Sequence, residues 1–335
     1  MSEMKIAVVG ASGLIGRQIV AALAEREHDA AAVHLFGTER SNGEELDFED
    51  DVLTIETMGP DSFRGIKVVI LAVPPSAARL LASQAQQAGA WVVDCSGAFR
   101  LDPGVPLVVP GVNDTVLDTP FSGRVVSLAS PVTQALASVL EPLRVKFGLT
   151  FADVTVLQGA SSSGQQGVDR LAKQAAELMN GKEPEVEVFP HRLGFNVIPA
   201  VGEFDAKGFS QDERNLMVET ARLWAGPELP AVTTTSLLVP TYHGTMLIVS
   251  AHLRRPVDAD GVRAVLKEES DLKVIDAPEQ NVYPMPMLTS NDDTVHVGRI
   301  RALGERVQLI IAVDNVQRMA ARAIDVALEL GDAKH

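Results

Sequence analysis

The first part of the chain alternates short apolar runs with segments of helical periodicity. Aliphatic and β-branched residues concentrate in five runs, which predict buried strands at residues 5–9, 31–36, 52–57, 67–72 and 91–95. Apolar positions at helical spacing predict helices over residues 13–24 and 76–88. Strands that alternate with helices are typical of a doubly wound α/β domain, whose ligands bind beyond the carboxyl ends of the parallel strands.

The pattern changes near residue 130, where a short strand is followed by a tight turn and a helix. Ser130 is the predicted N-cap of that helix, and Pro131 is its predicted first residue. The charged, proline-rich stretch at 181–191 predicts an exposed connection. Further strands are predicted at 152–157 and, in antiparallel pairing, at 237–241, 246–253 and 307–313, with helices at 131–143, 168–179 and 316–330.

These patterns predict an α/β protein of two domains and a returning helix. Residues 1–130 form an N-terminal Rossmann-like domain, residues 131–315 form an α+β domain, and residues 316–335 form a C-terminal helix that packs back on the first domain. A chain of 335 residues is long enough to bury a core in each domain.

Composition narrows the classes of partner. The formal net charge of −15 argues against binding to nucleic acid or to an anionic membrane surface. A single cysteine excludes an intrachain disulfide. No apolar run approaches the roughly 18 residues of a membrane helix. The first residues lead directly into a strand, so no signal peptide is expected. The histidines show no spacing typical of metal ligands, so no metal site is predicted. We therefore expect a soluble, cytoplasmic protein.

A glycine-rich turn follows the first strand and opens the first helix. Gly10, Gly13 and Gly16 have the spacing G-x-x-G-x-x-G, and Ser12 adds a hydroxyl group. Glycines at this place let the backbone approach a pyrophosphate, and the helix N-terminus faces its charge. The predicted contacts with a dinucleotide include the backbone N–H groups of the turn at Leu14 and Ile15.

The end of the second strand bears on the choice of dinucleotide. NADP sites place basic or hydroxyl groups there for the 2′-phosphate, whereas NAD sites place an acid for the ribose hydroxyls. Thr38, Arg40 and Ser41 favour NADP, while the acidic Glu39 and Glu44 weaken that preference. The predicted cofactor is NADP, with NAD possible.

Seven segments distributed over almost the whole chain carry a family resemblance. They are GASGLIG at 10–16, ERSNG at 39–43, DCSGAFRLDPGVPLVVPGVN at 94–113, LQGASSSGQQG at 157–167, FNVIP at 195–199, VGRIR at 297–301 and DNVQRMAARA at 314–323. Together they resemble the aspartate-semialdehyde dehydrogenase family. The resemblance implies that the first domain binds a dinucleotide, that the α+β domain carries catalysis, and that two copies pair through its sheet as a homodimer.

The same resemblance implies that four groups of the family's catalytic site are replaced here. The family's nucleophilic cysteine, in a segment that reads approximately N-C-S-T, falls on Pro131, and its histidine base falls on Thr245. Its carboxylate-binding arginine falls on Leu238. An acid-x-x-Lys pair becomes Asp212 and Asn215, so the second cation is also absent.

Other family positions are retained. The resemblance implies that Arg100 binds phosphate and orients substrate, that Asn113 contacts substrate, and that Gln158 is an active-site residue. Asn315 matches the residue that meets the nicotinamide carboxamide, whereas Gly111 replaces an acid.

We considered whether the chemistry has moved to other side chains. On an extended strand, His243 would share a face with Thr245 at a distance of about 6–7 Å. Cys95 lies close in sequence to Arg100, which could lower the pKa of its thiol. We favour a structural histidine and a buried, inert cysteine, because these are the commoner roles of such residues. The serines at 161–163 have no adjacent base in the sequence.

Three functions follow from these observations. The favoured one is a relative of aspartate-semialdehyde dehydrogenase that binds NADP but lacks thioester chemistry. The first alternative is an active NAD(P)-dependent oxidoreductase that transfers hydride directly to another carbonyl substrate, using Gln158, His243 or Tyr242 as the polarising donor. The second alternative is a non-enzymatic regulatory or interaction dimer.

Overall fold

The computed structural model describes residues 4–119, 121 and 123–332. The chain divides into two compact units. The first unit contains Met1–Ser130 together with Met319–His335, and the second contains Pro131–Arg318. Within the described ranges, no helix is both long enough and apolar enough to cross a membrane.

The first unit is built on a sheet of eight strands in the order β3-β4-β2-β1-β5-β6-β8-β7. All neighbouring strands are parallel except β3 and β4, which form an antiparallel pair at one edge. Its elements are β1 (Ile6–Val9), α1 (Leu14–Glu25), β2 (Val33–Gly37), β3 (Glu45–Phe48), β4 (Asp51–Thr57), β5 (Val68–Leu71), α2 (Pro75–Gln87), β6 (Trp91–Asp94), β7 (Leu107–Val108) and β8 (Val125–Leu128).

Apolar residues cover both faces of this sheet, because successive side chains of a strand point to opposite faces. Ile6 and Val8 of β1 belong to one core cluster, whereas Ala7 and Val9 belong to another. The first cluster contains the apolar side of α1 and C-terminal residues such as Ile324, and the second contains residues of α2. This arrangement confirms the predicted Rossmann-like architecture.

The strand predictions for the first unit are confirmed, but the second strand begins later than predicted and two short strands, β3 and β7, were not predicted. The second strand begins at Val33, because the alanines Ala30–Ala32 form a 3₁₀ turn in which the Asp29 side chain accepts a hydrogen bond from the Ala31 N–H. The short strand β3 escaped the sequence patterns because its buried residues, Leu46 and Phe48, alternate with acidic ones.

The second unit is built on a sheet of six strands in the order β10-β9-β11-β14-β13-β12. Helix α3 packs on β9, β11, β13 and β14, and α5 packs on β10. The elements are α3 (Pro131–Phe147), β9 (Leu149–Gln158), α4 (Gly164–Met179), α5 (Gln211–Leu223), β10 (Ala231–Leu238), β11 (Thr245–Leu253), α6 (Ala259–Leu266), β12 (Leu272–Val274), β13 (Val295–Leu303) and β14 (Arg306–Val313). The last helix, α7 (Asn315–Asp332), begins in this unit, and its residues from Met319 onward belong to the first unit.

One predicted strand of this unit was wrong in place and direction. The sequence pattern predicted a strand at residues 237–241 in antiparallel pairing, but the strand is β10, which ends at Leu238 and runs parallel to β9. The strand was missed because its N-terminal half, AVTTT, is polar and mostly exposed. The following residues leave the ladder because Pro240 has no N–H to donate.

Candidate functional site

The glycine turn of the first unit is tightly packed at two of its three glycines. A Cβ atom at Gly10, whose φ is +88°, would lie 2.3 Å from the carbonyl oxygen of Ala72. A Cβ atom at Gly16 would lie 2.1 Å from the carbonyl oxygen of Gly10. At Gly13 the nearest heavy atom is 3.3 Å away, and φ is −75°. Packing of the protein itself therefore requires Gly10 and Gly16, whereas a Cβ atom at Gly13 would make a tight contact but not a severe clash.

The start of α1 is suited to hold an anion. Gly13 is its N-cap, with no hydrogen bond from a capping side chain, and the first turn contains no acidic residue. The N–H groups of Leu14, Ile15 and Gly16 occupy the first helical positions, which have no carbonyl partner within a helix. These groups and the positive end of the helix dipole face the direction from which a pyrophosphate approaches.

The turn after β2 brings the predicted ribose-binding residues to the same edge of the sheet. The Ser41 hydroxyl is buried and donates to the Thr38 carbonyl oxygen at 3.1 Å. A Cβ atom at Gly37 would lie 2.4 Å from that hydroxyl, so glycine is needed for this close packing. Arg40 is exposed, and no side-chain partner holds it within the described part of the chain.

An ion pair that the sequence did not predict joins this turn to α1. The Arg17 guanidinium pairs with the Glu44 carboxylate, and its Nε donates to the Ser12 carbonyl oxygen at 3.1 Å. The residues lie far apart in sequence, so only the adjacency of β1 and β2 brings them together.

Arg100 lies at the carboxyl ends of two strands of the first unit. Its Nε donates to the Leu128 carbonyl oxygen at 2.8 Å, and a terminal nitrogen donates to the Cys95 carbonyl oxygen at 3.3 Å. The buried Asp94 carboxylate stabilises the same loop by accepting from the N–H and hydroxyl of Ser96 and from the Ser127 hydroxyl. These bonds hold the half-buried Arg100 guanidinium in one place at the carboxyl ends of the strands.

The Asn113 side chain stabilises its own loop through two hydrogen bonds to the backbone. Its Oδ1 accepts from the Val109 N–H at 2.7 Å, and its Nδ2 donates to the Leu107 carbonyl oxygen at 2.9 Å. At the position where the resemblance implies an acid, Gly111 donates its N–H to the Asp114 carboxylate. The Asp114 side chain therefore lies beside this position, although it comes from three residues further along.

Cys95 is buried and unsuited to nucleophilic chemistry. Burial raises the pKa of its thiol strongly, and the negative charge of Asp94 raises it further. The positive charge of Arg100 lowers this pKa but does not outweigh the other two effects. The interpretation of Cys95 as an inert core residue agrees with this environment, and the idea of a relocated thiolate does not.

In the second unit, three positions of the implied catalytic site lie in one row across the sheet. Gln158, the last residue of β9, pairs with Leu238 of β10 on one side and with Thr245 of β11 on the other. Thr245 in turn pairs with Val313 of β14. Because paired residues of neighbouring strands point to the same face, these side chains share the buried face of the sheet.

The side chains in this row are apolar, buried or already hydrogen-bonded to another residue. Leu238 packs in a core cluster with Leu171, Phe189 and Ile198, where a buried cation would have no counterion from these residues. Thr245 is almost fully buried. The Gln158 amide donates to the carboxylate of Asp212, in the first turn of α5, and Asn215 lies one turn further along that helix.

Pro131 is the first residue of α3, as predicted. It supplies neither a nucleophilic atom nor an N–H at the helix start. In the same first turn, the buried Thr133 hydroxyl donates to the buried Glu219 carboxylate of α5, a contact that the sequence did not indicate. This contact ties α3 to α5 beside the positions described above.

Asn315 follows β14 and begins α7. The Asp314 side chain caps this helix by accepting from the N–H groups of Val316 and Gln317. Oδ1 of Asn315 accepts from the Ser161 hydroxyl at 2.9 Å, which leaves Nδ2 as the donor group of the amide.

His243 does not occupy the predicted extended strand. It lies with Tyr242 in an exposed turn before β11, which begins at Thr245. Gly244, with φ of +83°, reverses the chain between His243 and Thr245, so the predicted spacing on a common face was wrong. The turn packs on Gly159 and Ser161, whose N–H groups donate to the carbonyl oxygens of Gly244 and Tyr242.

Elsewhere in this unit, a contact between a histidine and an aspartate has a structural explanation. His296 of β13 lies 2.8 Å from the Asp292 carboxylate, which also pairs with Lys273 of β12 at 2.5 Å. Hydrogen bonds from Lys273, Thr294 and His296 lower the pKa of Asp292 despite the opposing effect of burial. Within the described residues, no group of three or more His, Cys, Asp or Glu side chains is placed to hold a metal ion.

Comparisons with known proteins cover both units. Residues 5–119 match the family described as semialdehyde dehydrogenase, NAD binding domain, and residues 140–318 match semialdehyde dehydrogenase, dimerisation domain. The chain is 30% identical to aspartate-semialdehyde dehydrogenase of Aquifex aeolicus over 330 residues, covering 96% of each chain. It is 33% identical to a USG-1 protein homolog of Azotobacter vinelandii over 323 residues, covering 94% of each.

A solved structure agrees with this relationship. The crystal structure of aspartate semialdehyde dehydrogenase II from Vibrio cholerae superposes with a TM-score of 0.93 at 26% sequence identity, covering 100% of both chains. The matched NAD binding domain includes the glycine turn and the turn after β2 described above. The chain therefore belongs to the aspartate-semialdehyde dehydrogenase family, with an N-terminal NAD-binding domain and a C-terminal dimerisation domain.

Proposed function

We propose that this protein binds a nicotinamide dinucleotide and forms a homodimer but does not carry out the thioester chemistry that the family resemblance implies. One observation carries the proposal: Pro131 begins α3 where that resemblance implies the nucleophile. Covalent acyl transfer needs an activated nucleophile and a nearby base. The only cysteine of the chain, Cys95, is buried with a strongly raised thiol pKa.

The second unit supports the same conclusion. Thr245 stands at the implied position of the histidine base, and a threonine hydroxyl does not accept and release a proton at neutral pH as an imidazole does. Leu238 stands at the implied position of the carboxylate-binding arginine and belongs to an apolar cluster. Loss of general acid–base catalysis alone costs a factor of about 10² to 10⁴ in rate.

The first unit supports binding of NADP, with NAD as a second ligand. Leu14, Ile15 and Gly16 offer backbone N–H groups to the pyrophosphate at the start of α1. Ser12, Thr38, Arg40 and Ser41 lie at the same edge and would hold the adenosine ribose and a 2′-phosphate. When bound, the nicotinamide ring accepts or donates a hydride.

The homodimer forms through the open face of the second unit's sheet. The face opposite α3 presents Ile248 with an exposed fraction of 43%, flanked in register by Thr155 and Ile310. An apolar strand face that is open to solvent in one copy is suited to be covered by the same face of a second copy.

The test is to measure binding and turnover under the same conditions. We expect saturable binding of NADPH in a fluorescence titration, and no turnover of aspartate semialdehyde with phosphate and NADP⁺. Aspartate semialdehyde dehydrogenase II from Vibrio cholerae, the structural relative named above, serves as the positive control. Turnover above the uncatalysed background contradicts the proposal, and so does the absence of any NADPH binding.

A panel of other carbonyl compounds tests the alternative that the protein is an active oxidoreductase. The Gln158–Asp212 pair is the polar group that remains in the row beside Thr245. If the protein oxidises NADPH with any of these compounds, it is an active oxidoreductase that transfers hydride directly. In that case Gln158→Leu should abolish the oxidation without loss of NADPH binding.

A further inference from the structure

The Arg17–Glu44 ion pair connects the two loops that surround the predicted ribose site. Arg17 is fixed to the glycine turn by its bond to the Ser12 carbonyl oxygen. Glu44 is fixed to the other loop, because its N–H donates to the Ser41 carbonyl oxygen at 3.1 Å and its own carbonyl accepts from Ile55 at 2.8 Å. The pair therefore spans the gap between the ends of β1 and β2.

The fold places the adenosine ribose at this gap. In a Rossmann-like domain the pyrophosphate lies on the turn after the first strand, and the ribose 2′ position is read at the end of the second. Here β1 and β2 are adjacent and parallel, from Ile6 beside Val33 to Val9 beside Phe36. The carboxylate of Glu44 and the guanidinium of Arg17 consequently lie next to the 2′ substituent of a bound dinucleotide.

The local charge is close to neutral, because Arg17 and Arg40 are balanced by Glu39 and Glu44. Arg40 is exposed and has no ion pair within the described part of the chain. The charge of Arg17 is already compensated by Glu44. A 2′-phosphate carries roughly two negative charges and needs more positive charge than a 2′-hydroxyl.

We propose that Glu44 sets the choice between NADP and NAD. Its carboxylate neutralises Arg17 and repels a 2′-phosphate, so the site accepts both dinucleotides instead of selecting NADP. This inference rests on the proposed dinucleotide binding in the first unit. It identifies Glu44 as the residue that determines specificity and Arg17 as its partner.

The test measures the dissociation constants of NADPH and NADH for the wild-type protein and for Glu44→Gln. We expect Glu44→Gln to tighten NADPH binding by about threefold to tenfold while NADH binding stays within twofold, because a partly exposed charge has an effect of this size. The gain shrinks at high salt, because the effect is electrostatic. The matched control is Glu45→Gln, which removes the same charge from the neighbouring exposed position on β3.

Substitution of Arg17, the other residue of the ion pair, should have the opposite effect on NADPH binding. Arg17→Gln leaves the Glu44 carboxylate uncompensated, so NADPH binding weakens by about the same factor. The double variant Arg17→Gln/Glu44→Gln has neither charge and returns the ratio of the two dissociation constants close to the wild-type value. Such a return is the additive result expected when the two opposite charges act independently on the 2′-phosphate.

Three outcomes would overturn the proposal. In the first, Glu44→Gln changes NADPH and NADH binding equally, which shows that the pair only supports the loops. In the second, Glu45→Gln reproduces the effect, which assigns it to total charge. In the third, the wild-type protein binds neither dinucleotide, and the proposed function fails together with this inference. In the first two outcomes the protein still binds dinucleotide, so only the role of Glu44 in selectivity is contradicted.

Discussion

At the scale of single residues, burial decides which side chains are reactive. Cys95 lies next to Arg100 in space as well as in sequence, and that neighbour favours a thiolate. Desolvation and the charge of Asp94 dominate, so the pKa of the thiol is raised well above its ordinary range. A basic residue nearby is therefore not enough to activate a cysteine that is buried.

This environment predicts an unreactive thiol in the folded protein. At mildly alkaline pH we expect Cys95 to react with a disulfide reagent at least about 100-fold more slowly than an exposed thiol, because only the thiolate attacks. The variant Ser83→Cys, on the exposed side of α2, provides that exposed thiol in the same protein. Fast and complete labelling of native wild-type protein would contradict the interpretation, and denaturant should release the full reactivity.

The same pKa shift has a consequence for stability. The folded state favours the protonated thiol, so thiolate formation favours the unfolded chain. The free energy of unfolding therefore falls as the pH rises above the ordinary pKa of a thiol, and Cys95 makes no pH-dependent contribution below it.

At the scale of elements, the join between β1 and α1 separates structural from ligand-binding glycines. Gly16 brings α1 against the Gly10 carbonyl oxygen, where a Cβ atom has no room. Gly13 has an ordinary φ, and a Cβ atom there would lie 3.3 Å from the Gly10 carbonyl oxygen, a smaller conflict than at Gly16. Sequence spacing treats the three glycines alike, and only their packing distinguishes them.

Two alanine variants test this distinction. Gly16→Ala should lower the free energy of unfolding by about 1–3 kcal/mol, because overpacking forces α1 away from the turn. Gly13→Ala should keep most of the stability and weaken NADPH binding by about tenfold or more, since the new methyl group occupies space beside the pyrophosphate. Urea unfolding and fluorescence titration measure the two effects, and equal behaviour of the two variants would refute the assignment.

At the scale of the whole molecule, the second unit's sheet has one covered and one open face. On β11, buried residues such as Leu247 and Val249 alternate with the more exposed Met246 and Ile248. Helix α3 covers the buried face. The match to a dimerisation domain at residues 140–318 assigns pairing to the part of the chain that contains this sheet.

A charged substitution on the open face should prevent pairing. We expect Ile248→Asp to convert the dimer to a monomer without loss of secondary structure, because two copies would bury carboxylates against each other. Val145→Asp, at an exposed apolar position of α3, is the matched control and should remain dimeric. Sedimentation equilibrium decides between the outcomes, and an unchanged dimer in Ile248→Asp would exclude this face.

The limits of sequence reasoning are visible in β10 and in the turn at His243. Strands with strongly apolar runs, such as β1, β5 and β6, were predicted almost to the residue, because burial on both faces requires such runs. The half-exposed β10 carries threonines and lacks that signal. His243 was misplaced because a left-handed glycine reverses the chain after it.

The sequence by itself determined the alternation of strands and helices in the first unit, the family and the absence of a cysteine at Pro131, since these depend on local patterns and residue identities. Tertiary structure alone decided which distant residues meet: Arg17 with Glu44, Gln158 with Asp212, and Thr133 with Glu219. Such contacts depend on strand order and helix packing, which no local spacing records. Reactivity and selectivity depend on these contacts because they set the burial and charge around each side chain.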